Sequence, residues 1–298
     1  MLKDVSVSAL KNINTIKHID IDYERIDNLV DVLISKKDMF FRKSEDVDNI
    51  EQYVQLSFVQ NAVNYCFWFG KPFRKYVNHS LSGSEALWDV FKHNEKLLDA
   101  EYLSVISIGE ISSMFGDIPL IFDRQKCLQN TGDILCNKYQ GKAINLLEEY
   151  NFDCDLLAKA IAEEFDTWND AYDNIKFYKR IQSFISDVSK CKVLKGKLKN
   201  IEFGTLLADY QIPKVFQYYG ITKYSDELSS RILKMKIIKP CSREELDIRI
   251  STIVLGEVIK GKLINKNIEI SAYELDAILW RIGRSINCPH HLCNTIWY

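Results

Sequence analysis

Helical periodicity dominates this chain. Ile26, Leu29, Val30 and Leu33 form one apolar stripe behind Asp22, a residue suited to cap a helix start. Ile181, Phe184, Ile185 and Val188 repeat the pattern. Ser242 with Glu245 has capping-box spacing and opens a helix carrying Leu246, Ile250, Ile253 and Val254. Ser271 with Glu274 does the same ahead of Leu275, Ile278, Leu279 and Ile282. The stretch Asn49–Trp68 is aromatic and nearly uncharged after Glu51, which predicts a central buried helix. Lys138–Phe165 predicts two helices around Asn151–Asp155, the second turning Leu156, Ala160, Ile161 and Phe165 inward. Strand-like runs are short, such as Asn267–Ile270. The pattern predicts a mostly α, multi-helix globular fold with at most a small β element.

Composition narrows this picture. The chain has 298 residues, 47% hydrophobic and 27% charged, enough for one domain over residues 1–298 or for two helical subdomains flanking a cleft. Only 12 Gly and 5 Pro interrupt it, with no internal repeat. A net charge of −2 disfavours a stable nucleic-acid partner held through many phosphates, but leaves room for a small anionic ligand. No apolar run of signal-peptide or membrane-spanning length stands out, so a cytoplasmic protein without a membrane partner is expected. Eight Cys are scattered without a Cys-x-x-Cys and read as reduced and structural. Cys288 and Cys293 bracket His290 and His291, but this spacing fits no common zinc module, so no metal is expected.

The candidate chemistry begins at Leu206–Pro213, which sets Asp209 among apolar residues beside Tyr210. A carboxylate in such surroundings is costly unless it is paired or used. An Asp near a break can equally be a cap, and Pro213 is expected to break any helix begun at Asp209. Lys179 precedes the Ile181 stripe, either as a surface lysine with a buried stem or as the cation that meets Asp209 in one pocket. Arg249 sits on the buried flank of its helix and needs a partner, either a carboxylate such as Asp247 or Glu257 or a ligand phosphate. Asp276 falls about 100° from the Leu275 stripe, on a solvated face or, with Trp280 one turn on, beside a cationic or heteroaromatic ligand. The ending Thr-Ile-Trp297-Tyr298 is too apolar to stay loose and is expected to dock into the body.

Several blocks stand in order along the chain: FYKRIQ (Phe177–Gln182), ADYQIP (Ala208–Pro213), YSDEL (Tyr224–Leu228), ELDIRISTI (Glu245–Ile253), LDAILW (Leu275–Trp280) and HHLCNTIWY (His290–Tyr298), with a weaker one at Gly116–Leu120 and Asp123-Arg124. Together they resemble the queuosine-salvage family of queuosine 5′-phosphate N-glycosylases. The resemblance implies a mostly α fold similar to helix-hairpin-helix DNA glycosylases. It also implies a hydrolase that releases queuine from queuosine 5′-phosphate for tRNA modification, with no cofactor. It makes Asp209 the catalytic carboxylate, Leu207 a base-contacting position that is often Phe, and Asp276 a queuine-binding acid. Lys179 would act with Asp209 or bind the phosphate. Tyr210, Trp280, Arg281, Arg249 and His291 complete the expected substrate contacts, and aromatic residues of Tyr65–Phe69 are further candidates to sandwich the base. Arg281 stands where some members carry an acid, and Leu292 and Asn294 replace polar or basic residues. Thr15 and His18 are candidates for an N-terminal ligand contact. Two other readings of the same residues are a DNA-repair glycosylase and a non-catalytic module that binds queuine or its nucleotide.

Overall fold

The computed structural model describes residues 1–36 and 46–298. Among them, fifteen α-helices follow one another. They are α1 (Leu2–Asn12), α2 (Ile26–Ser35), α3 (Ile50–Ala62), α4 (Ser84–Lys92), α5 (Ala100–Val105), α6 (Ile108–Phe115), α7 (Ile121–Tyr139) and α8 (Ala143–Glu149). Then come α9 (Cys154–Glu164), α10 (Lys179–Val188), α11 (Lys192–Lys195), α12 (Gln211–Tyr218), α13 (Asp226–Leu233), α14 (Arg243–Asn265) and α15 (Ala272–Ser285). The strands form only two-stranded ladders, such as Ile19–Ile21 antiparallel to Thr222–Tyr224. The fold is therefore mostly α. No helix of the described residues is long and apolar enough to cross a membrane.

The chain forms two compact units. The first holds residues 1–36, Ala171–Lys179 and Glu202–Asn294. Its centre is α14, where every residue from Glu244 to Gly256 is buried, so no face is left for water. Apolar side chains of α2, α12 and α15 close around it, with Leu29, Leu33, Ile212, Phe216, Leu275 and Leu279 in one cluster with Leu255 and Ile259 of α14. Each such burial stabilises by about 1.5–3 kcal/mol, which lets the unit tolerate several buried charges. Ser271 and Glu274 form the expected reciprocal capping box at α15. At α14 only half of it forms: Ser242 accepts from the Glu245 N–H, while the Glu245 carboxylate accepts from Cys241 N–H at 3.2 Å. Asp22 caps a short 3₁₀ turn, Tyr23–Arg25, that leads into α2.

The second unit holds residues 46–170, Arg180–Ile201 and Thr295–Tyr298. Phe58 on α3 stacks on Trp168 at 4.9 Å and meets Phe165 and Phe184 edge-on at 5.2 and 5.0 Å. Helices α5 and α7 approach so closely that a Cβ on Gly132 would lie 2.5 Å from the Ala100 carbonyl oxygen. Arg124 is buried and donates to the carbonyls of Pro119, Val63, Tyr65 and Cys66. The chain end packs here as expected: Tyr298 is buried, its carbonyl accepts from Cys66 N–H at 2.9 Å, and the Arg180 guanidinium lies over Trp297.

Three expectations about elements are corrected. The helix predicted over Asn49–Trp68 is capped by Asn49 but ends at Ala62. The next carbonyls are taken by Arg124 and Cys66 adopts a positive φ, so tertiary partners replace the helical ladder. On α9, Ala160, Ile161 and Phe165 are buried, but Leu156 is exposed and Leu157 takes its place. Asp153 caps the helix, and that start puts Leu157, Ile161 and Phe165 on one inward line at four-residue spacing. Asn267–Ile270 is no strand: Asn267 adopts φ +59 and Ile268 N–H bonds the Leu263 carbonyl, so the segment is the C-terminal cap of α14.

Candidate active site

The first unit gathers most of the residues singled out from sequence. Asp209 stands just ahead of α12, where its Oδ1 accepts from Gln211 N–H at 2.7 Å and Ile212 N–H at 3.4 Å. The helix-capping reading of Asp209 is therefore realised. Pro213 does not break the helix. It occupies the third position of α12, where a missing N–H leaves no intrahelical bond unmade. Asp209 Oδ2 has no hydrogen-bond partner among the described residues, and the residue is only half-buried. One oxygen fixes the side chain while the other stays available.

Lys179 opens α10 and is buried. Tyr178, just before it, is held at φ +49, a conformation uncommon for a bulky residue, and this turn sets the direction in which Lys179 enters the helix. The charges of Lys179 and Asp209 act on each other. Burial pushes the Asp209 carboxyl above its ordinary value, and the Lys179 charge, the two backbone N–H groups and the Lys214 charge oppose that rise.

The backbone ahead of Asp209 is anchored from α15. Asp276 is buried, and its Oδ1 accepts from Leu207 N–H at 2.8 Å. The solvated-face reading of Asp276 is thus corrected: its position beside the apolar stripe turns it toward the 205–208 segment. Leu206 packs against α14 at Gly256, where a Cβ would lie 2.4 Å from the Leu206 Cγ. Tyr210 stacks on His290.

Arg249 is buried on α14. Its guanidinium lies 3.8 Å from the centre of the Phe177 ring and 3.6 Å from Glu245 Oε1, one helical turn away. Neither carboxylate named from sequence is the one it meets. Asp247 is engaged by His18 at 2.9 Å and Arg243 at 2.6 Å, and Glu257 lies near Lys260 at 3.9 Å. Helical spacing explains the outcome, since Glu245 is the i−4 neighbour of Arg249. His291 is buried, and burial, with the charges of His290 and Arg249, brings its pKa down to about 3, so it is neutral at physiological pH.

Other candidates are exposed or have partners of their own. Arg281 is exposed on α15, and the Trp280 ring carries the guanidinium of Arg284 at 4.9 Å. Thr15 accepts from Arg243 at 2.8 Å, so Thr15 and His18 both belong to the network around Asp247. Tyr65, in the second unit, has the guanidinium groups of Arg124 and Arg180 at 4.5 and 5.3 Å from its ring centre. No group of three metal-ligating side chains assembles among the described residues. Two participants were missed from sequence. Glu245 was read only as a cap residue. Lys214 stood unremarked among Ile212, Pro213, Val215 and Phe216, although a lysine in an apolar run was the same signal that drew attention to Asp209.

A half-open carboxylate under the charge of a buried lysine, with the Tyr210 ring next in sequence, suits stabilisation of a developing cation near Asp209. Comparison with known proteins agrees in direction. A family model described as queuosine salvage protein matches residues 43–298. The queuosine 5′-phosphate N-glycosylase/hydrolase of Sphaerobacter thermophilus is 27% identical over 276 residues, 84% of this chain and 83% of that protein. The protein of that name from Mus musculus is 27% identical over 81% of this chain and 80% of its own length. The one from Dictyostelium discoideum is 25% identical over 95% and 94%. With the family match running through both units and the site residues, the chain belongs to the queuosine salvage protein family.

Proposed function

We propose that this protein hydrolyses the N-glycosidic bond of queuosine 5′-phosphate, releasing queuine for reuse in tRNA modification. The observation that carries the reading is Asp209: one carboxylate oxygen is pinned by the start of α12, the other is open, and the charge of the buried Lys179 acts on it. Cleavage builds positive charge on the ribose as an oxocarbenium-like centre. A fixed carboxylate beside the anomeric carbon lowers the barrier because it needs no reorganisation as that charge appears. Asp209 fills this role, either stabilising the charge or attacking the carbon. Lys179 keeps Asp209 ionised against the cost of its surroundings and offers a cation to the 5′-phosphate.

The remaining site residues take supporting parts in this reading. Leu207, held by Asp276, and Tyr210 flank Asp209 in sequence and supply apolar and aromatic surface for the base. Asp276 is the acid matched to the cationic amine of queuine. Arg249 and the neutral His291 support the floor of the site. Trp280 and Arg281 on α15 are assigned outer substrate contacts. A 7-deazapurine offers no N7 to protonate, so charge leaving with the base must be met elsewhere on the ring, by donors to its O6 edge or by water.

The test is chromatographic release of queuine from synthetic queuosine 5′-phosphate by wild type and Asp209→Asn in parallel. Asn keeps the capping bonds to Gln211 and Ile212 but cannot carry charge. Release by wild type with a loss of at least about 100-fold in Asp209→Asn is expected. Undiminished release by a folded Asp209→Asn would sink the assignment.

A further inference from the structure

The stretch of chain that delivers Lys179 is anchored step by step within the first unit. Strand Ile175–Lys176 pairs antiparallel with Ala171–Tyr172. The Lys176 N–H donates to Ser8 Oγ at 3.1 Å, and its ammonium meets Asp4 at 2.9 Å, both on α1. Phe177 follows, 2% exposed, with the Arg249 guanidinium of α14 at 3.8 Å from its ring centre. Tyr178 then takes its positive φ, and Lys179 opens α10.

An arginine buried in this way is either a ligand for an anion or a part of the frame. At 3.8 Å from the ring centre, the guanidinium carbon can lie only against the face of Phe177. A planar, weakly hydrated guanidinium suits that face, and the attraction is largest where water is excluded. Arg249 is 2% exposed. Glu245, one helical turn back and 1% exposed, supplies the counter-charge at 3.6 Å, so the cation is balanced without a bound anion. One residue separates Phe177 from Lys179. That residue, Tyr178, holds a left-handed backbone, which persists only where its neighbours over-determine it. A shift of the Phe177 ring is therefore passed on to Lys179 rather than absorbed between them.

We infer that Arg249 is a positioning residue for Lys179: it clamps the Phe177 ring onto α14, and this clamp fixes the point from which the Lys179 ammonium is presented. The catalytic consequence rests on the glycosylase reading above; the clamp itself does not.

The experiment has two arms on wild type, Phe177→Leu, Arg249→Met and the double variant. In the first, the protein is pulsed with acetic anhydride without substrate, and acetylation of Lys179 is followed by peptide mass spectrometry. Lys214 on α12 is the internal control, since it is 6% exposed and its ammonium donates to the Ile286 carbonyl at 3.2 Å. Loss of a desolvated cation–π contact should raise the Lys179 rate at least about tenfold in either single variant. The Lys214 rate should stay at the wild-type value. In the second arm, kcat/KM for queuosine 5′-phosphate should fall on the order of 10- to 100-fold in each single variant, as a misplaced group requires. The double variant should lose little more than either single one, because both changes break the same clamp. If Arg249→Met does not fold, Arg249→Lys takes its place: it leaves Glu245 a counter-charge but removes the planar stack.

An unchanged Lys179 rate in Phe177→Leu overturns the proposal and leaves the glycosylase reading intact. Lys179 and Lys214 rising together would mean general loosening and overturns it too. Losses that multiply in the double variant would show that Arg249 meets the substrate by itself, which also overturns it. A wild type that releases no base overturns the glycosylase reading, and the acetylation arm then decides the clamp alone.

Discussion

The Tyr210 ring lies against the His290 imidazole, with ring centres 4.4 Å apart and planes 24° from parallel. This stack ties the residue after Asp209 to the segment beyond α15, about eighty positions later in the chain. His290 Nδ1 is also 2.7 Å from the carbonyl oxygen of His291, which fixes the plane it offers to Tyr210. The ring pair and the Lys214–Ile286 hydrogen bond register two parts of the chain that share no element.

Replacing His290 by Ala should therefore cost stability and site order together. An aromatic pair contributes about 0.5–1.5 kcal/mol beyond the area it buries. We expect His290→Ala to lower the unfolding free energy by roughly that amount in a urea titration, and His290→Phe to recover most of it. Identical midpoints for wild type and His290→Ala would mean that the stack stabilises nothing.

The packing of Leu206 on Gly256 makes a second prediction. A Cβ at position 256 would lie 2.4 Å from Leu206 Cγ and 2.6 Å from its Cδ1, and Leu206 is itself buried in the core. Gly256→Ala must push the 205–209 segment off α14. Overpacking of this kind costs about 1–3 kcal/mol. The Leu206→Ala variant in the same background should relieve the clash, so thermal unfolding of the single and double variants should show strong non-additivity. Simple addition of the two losses would rule out the contact as the cause.

His291 sets a pH dependence. Its folded-state pKa is brought down to about 3 by burial first and then by the charges of His290 and Arg249. Below about 6.5 the unfolded chain takes up a proton that the folded chain refuses. Stability from this group is thus fully present above pH 6.5 and falls as the pH drops toward 3, by about 1.4 kcal/mol for each unit. A His291→Gln variant should show a shallower fall in unfolding free energy between pH 6 and 4 than wild type. Parallel curves would show that His291 does not govern this window.

Local pattern carried far in this chain. The stripes of α2, α10 and α15 were legible because each buries one face, and a 3.6-residue period is all such a face needs, whereas α14 is buried on every side from Glu244 to Gly256. The boundary at Ala62 was not legible, because nothing near it in sequence ends a helix. Arg124, sixty residues on, collects the carbonyls there. Leu156 was misplaced by one position, about 100°, since a short helix with several apolar residues leaves its phase undecided until neighbours pack. Asn267–Ile270 imitates a strand by alternating Ile with polar residues, although its conformation is set by the helix it terminates.

The candidate site divides in the same way. The sequence by itself determined that a carboxylate sits in an apolar setting at Asp209, that Lys179 and Arg249 are cations near buried faces, and that the ordered blocks belong together, because these depend only on residue identity and spacing. Only the tertiary structure decided that Asp276 turns inward to hold Leu207, that His290 stacks on Tyr210, and that the Lys214 ammonium reaches the Ile286 carbonyl. These join residues far apart in the chain. The local pair, Glu245 with Arg249, follows instead from their four-residue spacing on one helix. The energy of a buried charge depends on which dipoles and counter-charges folding brings within a few ångströms, and spacing along the chain does not contain that information.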